Sequence, residues 1–114
     1  MAGETATDSK LSNSELEALL AAAHGDNDRR VDQRFAFFTT VTMRPRSGRG
    51  KVISAFSREI SVSGIGLLHA TPLVSGEDYE VDIRIEEVHC KRTCRAVWCR
   101  PVGDGWFLSG CRFV

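Results

Sequence analysis

Two short clusters carry the side chains best suited to chemistry. Arg29-Arg30-Val31-Asp32-Gln33-Arg34 puts three arginines into six residues ahead of an apolar run. Glu59-Ile60-Ser61-Val62-Ser63-Gly64 puts a carboxylate, two hydroxyls and a glycine at the end of the next run. A guanidinium is a planar fork that grips phosphate or a guanine edge in two places and stacks on flat rings. An ionised Glu59 only accepts hydrogen bonds, so it suits the N1–H and N2–H₂ edge of a guanine. Ser61 can donate or accept, and Gly64 allows backbone conformations and close approaches that other residues resist. Glu59 and Ser61 are two apart and share one side of a strand. In an extended segment Arg30 and Arg34 would lie about 13 Å apart, enough to hold separate points of one ligand. The chemistry on offer is a two-part grip on something anionic and planar, such as a nucleotide.

The elements that must position these clusters follow from pattern. Ser12 to Glu15 forms a capping box, in which the Ser12 hydroxyl and the Glu15 carboxylate satisfy each other's backbone N–H. Leu16, Leu19, Leu20 and Ala23 then recur at helical spacing until Gly25, so a short amphipathic helix is expected over 11–25. Residues 1–10 read as a disordered tail and 26–34 as a flexible, arginine-rich linker. Beyond residue 34 the period becomes two. Strand-like runs are expected at 35–43, 51–60, 64–69, 79–85, 90–99 and 106–114, separated by Gly- and Pro-rich breaks. Phe35, Phe37 and Phe38 are expected to serve the core and the entry to the barrel. Six short strands and almost no helix argue for an all-β fold, a six-stranded antiparallel β-barrel over 35–114, because closure removes exposed edges.

Composition narrows the function classes. With 114 residues and 42% apolar side chains the chain suits one small domain with its own core. The start of the chain has neither a basic patch nor an apolar stretch, and no apolar run is long enough to span a bilayer, so a cytoplasmic, membrane-free protein is expected. The spacing of Cys90, Cys94, Cys99 and Cys111 matches no common zinc pattern, so they read as free thiols and no metal or cofactor is expected. His24, His69 and His89 lie in different segments without a nucleophile and an orienting acid beside them, so no enzyme is expected. Zero net charge hides segregation. Residues 1–28 hold six acids and one base, while residues 29–58 hold eight bases and one acid. That basic stretch would also suit single-stranded nucleic acid, but no set of rings on one face is evident, so nucleic acid is not the expected partner.

Arg30-x-x-x-Arg34, then a strand, a turn, a strand and Glu59-x-Ser61-x-x-Gly64, resembles the PilZ domain, a bacterial receptor module for cyclic di-GMP. Gly64-Ile65-Gly66-Leu67, Ala96-Val97-Trp98 and Gly110-Cys111-Arg112-Phe113 resemble its downstream text, so the resemblance covers roughly residues 27–114. It implies a cyclic di-GMP receptor whose ligand lies between the linker arginines and the barrel. Arg30 and Arg34 would hold phosphate and guanine, Ser61 would bind from the barrel, Gly64 would make room and Arg29 would add charge. Signalling would proceed by rearrangement of the N-terminal segment. Glu59 departs from the family's usual Asp or Asn and is a methylene longer, so its carboxylate must reach farther out or bend back. The alternative is a PilZ-like adaptor that binds no nucleotide and acts through protein contacts. Residues 11–20 are similar to the N-terminal segment of flagellar motor switch proteins, which would imply a response regulator or motor component as partner and a role in motility. The same ten residues also suit a helix that packs on its own barrel.

Overall fold

The computed structural model describes residues 10–24, 34–48 and 50–114. Arg29, Arg30 and most of the linker therefore lie outside the described residues. Helix α1 spans Asn13–His24, and seven strands follow: β1 Phe35–Ala36, β2 Thr40–Pro45, β3 Ile53–Ile60, β4 Gly64–His69, β5 Asp78–Ile85, β6 Val88–Gly103 and β7 Trp106–Phe113. The strand order is β1-β3-β2-β5-β6-β7-β4, and an added β3–β4 pairing closes β2 to β7 into a six-stranded antiparallel barrel. The short β1 hangs on β3 outside the closed set, Phe35 opposite Ile60 and Ala36 opposite Glu59.

Alternation decides what is inside. Val41 and Met43 of β2, Ile53 and Ala55 of β3, Ile65 and Leu67 of β4, and Tyr79, Val81 and Ile83 of β5 are buried, while their neighbours in sequence point outward. The expected first strand breaks in two because Ser57 interposes. Its buried hydroxyl donates to the Phe37 carbonyl at 2.6 Å and accepts from the Thr39 N–H at 2.9 Å. That turn sends Phe37 into the core and leaves Phe38 outside at 70% exposure, so Phe38 is not the core residue expected. β6 is sixteen residues long, against the ten expected. Its first half pairs with β5 and its second with β7, and irregularities at Ala96/Trp98 and Pro101/Gly103 let one strand serve both. The β6–β7 hairpin turns on Asp104 and Gly105, whose φ values of 57° and 82° suit the Asp-Gly type I′ turn.

The capping box forms as expected: Ser12 N–H donates to Glu15 Oε1 at 2.9 Å and Glu15 N–H to Ser12 Oγ at 3.0 Å. Burial alone would raise the Glu15 pKa. Hydrogen bonds from the Ser12 N–H and from Arg92 of β6 outweigh it and hold the carboxyl below its ordinary value. Leu16, Leu19 and Leu20 are all buried and belong to the same core as the barrel. Each such burial is worth about 1.5–3 kcal/mol, so α1 is an integral part of the domain against β5 and β6. The face that would meet a partner protein is thus covered by the barrel.

All four cysteines are free thiols, three of them buried. Burial raises the Cys90 pKa. Cys94 is raised first by its hydrogen bond with Cys111 and then by burial. Among the described residues no group of His, Cys, Asp or Glu is arranged to hold a metal, and no helix is long and apolar enough to cross a membrane.

Candidate ligand cleft

The second cluster sits where β3 turns into β4. Ser61 N–H donates to the Gly64 carbonyl at 2.9 Å, and the Ser61 hydroxyl accepts from the N–H groups of Ser63 and Gly64 at 3.3 and 3.2 Å. It also shares a 3.2 Å hydrogen bond with Ser63 Oγ. Ser61 is buried, so the strand-face relation with Glu59 is lost at the turn, and its hydroxyl closes that turn. Gly64 is needed for a different reason from the one its sequence context suggests. Its φ lies outside the left-handed region, but a Cβ there would lie 2.4 Å from the carbonyl oxygen of Cys111 on β7. The close approach is of strand to strand.

Cross-strand register lays out the cleft. Glu59 of β3 is opposite Gly66 of β4, Gly66 is opposite Gly110 of β7, and Gly110 is opposite Trp98 of β6. Two glycines side by side leave a trough in the outer surface. Glu59 leans in from one edge: its Cγ is 3.0 Å from the point a Gly66 Cβ would occupy. Trp98 leans in from the other, its Nε1 2.4 Å from the corresponding point at Gly110. The extra methylene of Glu59 therefore does not push its carboxylate outward. It lies down over Gly66 and the carboxylate bends back to Arg34, whose Nη1 donates to Oε2 at 3.0 Å. Both partners are substantially exposed, so this ion pair contributes little stability and opens readily.

The resulting open cleft has a volume of about 400 Å³. Arg34, Arg58 and Arg112 reach it along with Glu59, Ser61 and Ser63. Glu59 is the only carboxylate among the described lining residues, so the cleft is cationic. Arg100 stands over Trp98 with Cζ 5.2 Å from the ring centroid, adding a further guanidinium at the aromatic edge. The fold thus unites Arg34 with Glu59, Ser61 and Gly64 from 25 or more residues apart. Arg29 and Arg30 fall outside the described residues. Arg58, Gly66, Trp98, Gly110 and Arg112 join the site without having been singled out for it. Pattern alone did not point to Gly66, Trp98, Gly110 and Arg112 because their meeting depends on the β4–β7–β6 register, whereas Arg58 enters beside Glu59 on β3. The alternate glycines Gly64 and Gly66 of β4, with the lone Gly110 of β7, were the available signal.

The turn also touches the helix. Leu11 N–H donates to the Val62 carbonyl at 2.9 Å, from within residues 61–64. The turn that shapes the cleft and the segment just ahead of α1 are therefore joined by a direct backbone bond.

A search of curated proteins gave no match. The family model described as PilZ domain matches residues 28–114, which spans the arginine linker, the whole barrel and every residue that lines the cleft. With three quarters of its length inside that match, the chain belongs to the PilZ domain family.

Proposed function

We propose that this chain is a cyclic di-GMP receptor in which a guanine enters the trough between Glu59 and Trp98. Membership in a family of cyclic di-GMP receptor modules supports the reading. The observation that carries it is the pair of glycines Gly66 and Gly110, which let Glu59 and Trp98 lie against the sheet and bring a carboxylate and an indole together at the cleft. Glu59 accepts from the guanine edge, Trp98 offers its ring, and Arg34 exchanges Glu59 for the ligand. Ser61 holds the turn that shapes the wall, and Arg29 and Arg30 add charge from the linker. Binding is read out through the N-terminal segment, since α1 is followed in sequence by the linker and Arg34, and Leu11 just ahead of it holds Val62. A role for residues 11–20 in motility requires α1 to leave the barrel, because its leucines are core residues when docked.

Tryptophan fluorescence tests this reading. Cyclic di-GMP should quench emission in the parent and in Trp106→Phe but not in Trp98→Phe. Quenching that survives Trp98→Phe unchanged would place the ligand elsewhere.

The Arg34–Glu59 ion pair favours a second reading, a nucleotide-free adaptor whose key arginine is already occupied. That reading requires a parent that does not bind, and Glu59→Asp should then create affinity by shortening the carboxylate's reach. A parent that already binds with micromolar affinity would exclude it.

A further inference from the structure

Exposed aromatic rings stand on several outer positions of the barrel. Among the described residues they are Phe38, Phe56, Trp98 and Trp106. Phe38 projects from the segment between β1 and β2, next to Phe37, whose N–H binds the Arg58 carbonyl. Phe56 stands on the outer side of β3 opposite Leu68 of β4, Leu68 is opposite Leu108 of β7, and Leu108 is opposite Arg100 of β6. Trp106 tilts against Phe56 with ring centroids 6.2 Å apart. This row runs beside the glycine trough, and Phe38, Phe56 and Trp106 all lie outside the cleft. A cyclic dinucleotide held in the trough leaves them unused.

Charge beside these rings is mostly basic, with Asp104 of the β6–β7 turn the acid nearest in sequence to Trp106. Arg58 lies two residues along β3 from Phe56, Arg100 stands over Trp98 and Arg112 lines the cleft beyond Gly110, and among the described residues none has a carboxylate partner. Glu59 is already paired with Arg34. Helix α1 covers β5 and β6 through Leu16 and its neighbours and leaves the Phe56 row uncovered. Rings flanked by guanidiniums that have no carboxylate partner fit a ligand that is flat and anionic at each repeat. Three strand spacings separate Phe56 from Arg100, about 14 Å, the reach of a few unstacked nucleotides.

We propose that this side of the barrel binds single-stranded nucleic acid, with bases on Phe56, Trp106 and the Arg100–Trp98 pair and phosphates on Arg58, Arg100 and Arg112. The rings that would mark such a surface come from β3, β6 and β7, not from the phenylalanines near residue 35. The expectation against nucleic acid rested on those phenylalanines. The site overlaps the cleft at Arg58, Trp98 and Arg112, so a ligand in the trough and an oligonucleotide compete.

The test is fluorescence anisotropy of labelled oligo(U) and oligo(dT), about ten nucleotides long, with the full chain and no dinucleotide. A failure here therefore leaves the cyclic di-GMP reading untouched. Binding should weaken about 20-fold between about 50 and 200 mM NaCl, the drop expected for three phosphate contacts on a single strand. Phe56→Ala and Trp106→Ala should each weaken it about tenfold. Trp106→Leu keeps apolar cover without a stacking face and should do the same if the alanine variant folds poorly. Lys91→Ala, on the β6 position opposite Asp82, should have no effect. No anisotropy change at the lower salt, insensitivity to salt, or unaltered affinity in a folded Trp106→Leu would overturn the proposal. Saturable capture of a labelled peptide of alternating Glu and Phe, with no oligonucleotide binding, would assign the surface to a protein and overturn it as well.

Discussion

Alanine at Gly110 and alanine at Gly64 should have opposite profiles, although each forces a contact of the same length. At Gly110 the new Cβ would lie 2.4 Å from Nε1 and 2.7 Å from Cε2 of Trp98. The indole must move, and with Trp98 44% exposed it can swing toward solvent. The cost should fall at the low end of the range for overpacking, about 1 kcal/mol, or about 4 °C in Tm for a domain of this size. At Gly64 the new Cβ would lie 2.4 Å from a backbone oxygen, that of Cys111, held in the β4–β7 ladder. Relief there requires separating strands, so about 3 kcal/mol and a Tm drop of about 12 °C or more are expected. Ligand affinity should invert this order of severity. Gly110→Ala displaces the stacking ring and should weaken cyclic di-GMP at least tenfold in a chain that is still folded, since a stacked base is worth about 1–3 kcal/mol. Thermal unfolding by circular dichroism and titration of the same samples read both effects. If Gly110→Ala unfolds as early as Gly64→Ala, or binds as tightly as the parent, the trough reasoning is wrong.

Two further predictions concern stability. Leu20→Ala should cost about 3 kcal/mol in urea unfolding, as for other fully buried leucines, whereas a helix that merely rests on the surface would lose under 1 kcal/mol. His69 should make stability depend on pH in a defined window. Its Nδ1–H donates to the Thr71 carbonyl and its Nε2 accepts from the Ser109 hydroxyl, both at 2.7 Å, and burial lowers its pKa. The unfolded state takes up a proton first as pH falls below about 6.5, so stability is complete above that value and declines beneath it. The lowered carboxyls of Glu15, Asp78 and Asp82 lose their contributions only below about pH 5, outside the interval compared. Urea midpoints at about pH 7.5 and 5.5 should differ more in the parent than in His69→Gln, and equal differences would refute the assignment.

What local pattern could reveal, the chain displays openly. Alternation in Tyr79 to Ile85 and Ile53 to Ile60 marks core-facing strands, and the capping box marks the start of α1. The arginine and Glu-x-Ser-x-x-Gly clusters were legible because each is contiguous. What could not be read depends on register between distant strands. The trough exists only because Gly66 meets Gly110 and Trp98 meets Gly110 across two ladders. The division of Phe35 to Met43 hinges on a hydroxyl twenty residues away, at Ser57, and the length of β6 hinges on its irregularities. Glu59 is the clearest case. Its extra methylene looks like a misfit in one dimension, and Gly66 on the facing strand supplies the space it lies in.

The central claim is that this cleft holds cyclic di-GMP with Arg34 as a direct contact. Calorimetric titration of the full chain with the dinucleotide tests it most directly. Saturable heat with micromolar affinity is expected, abolished in Arg34→Ala and kept in Arg46→Ala, whose side chain lies in the β2–β3 turn away from the cleft. A folded chain that gives no heat at about 50 µM, where a micromolar site would be nearly filled, would contradict it, as would full binding in Arg34→Ala.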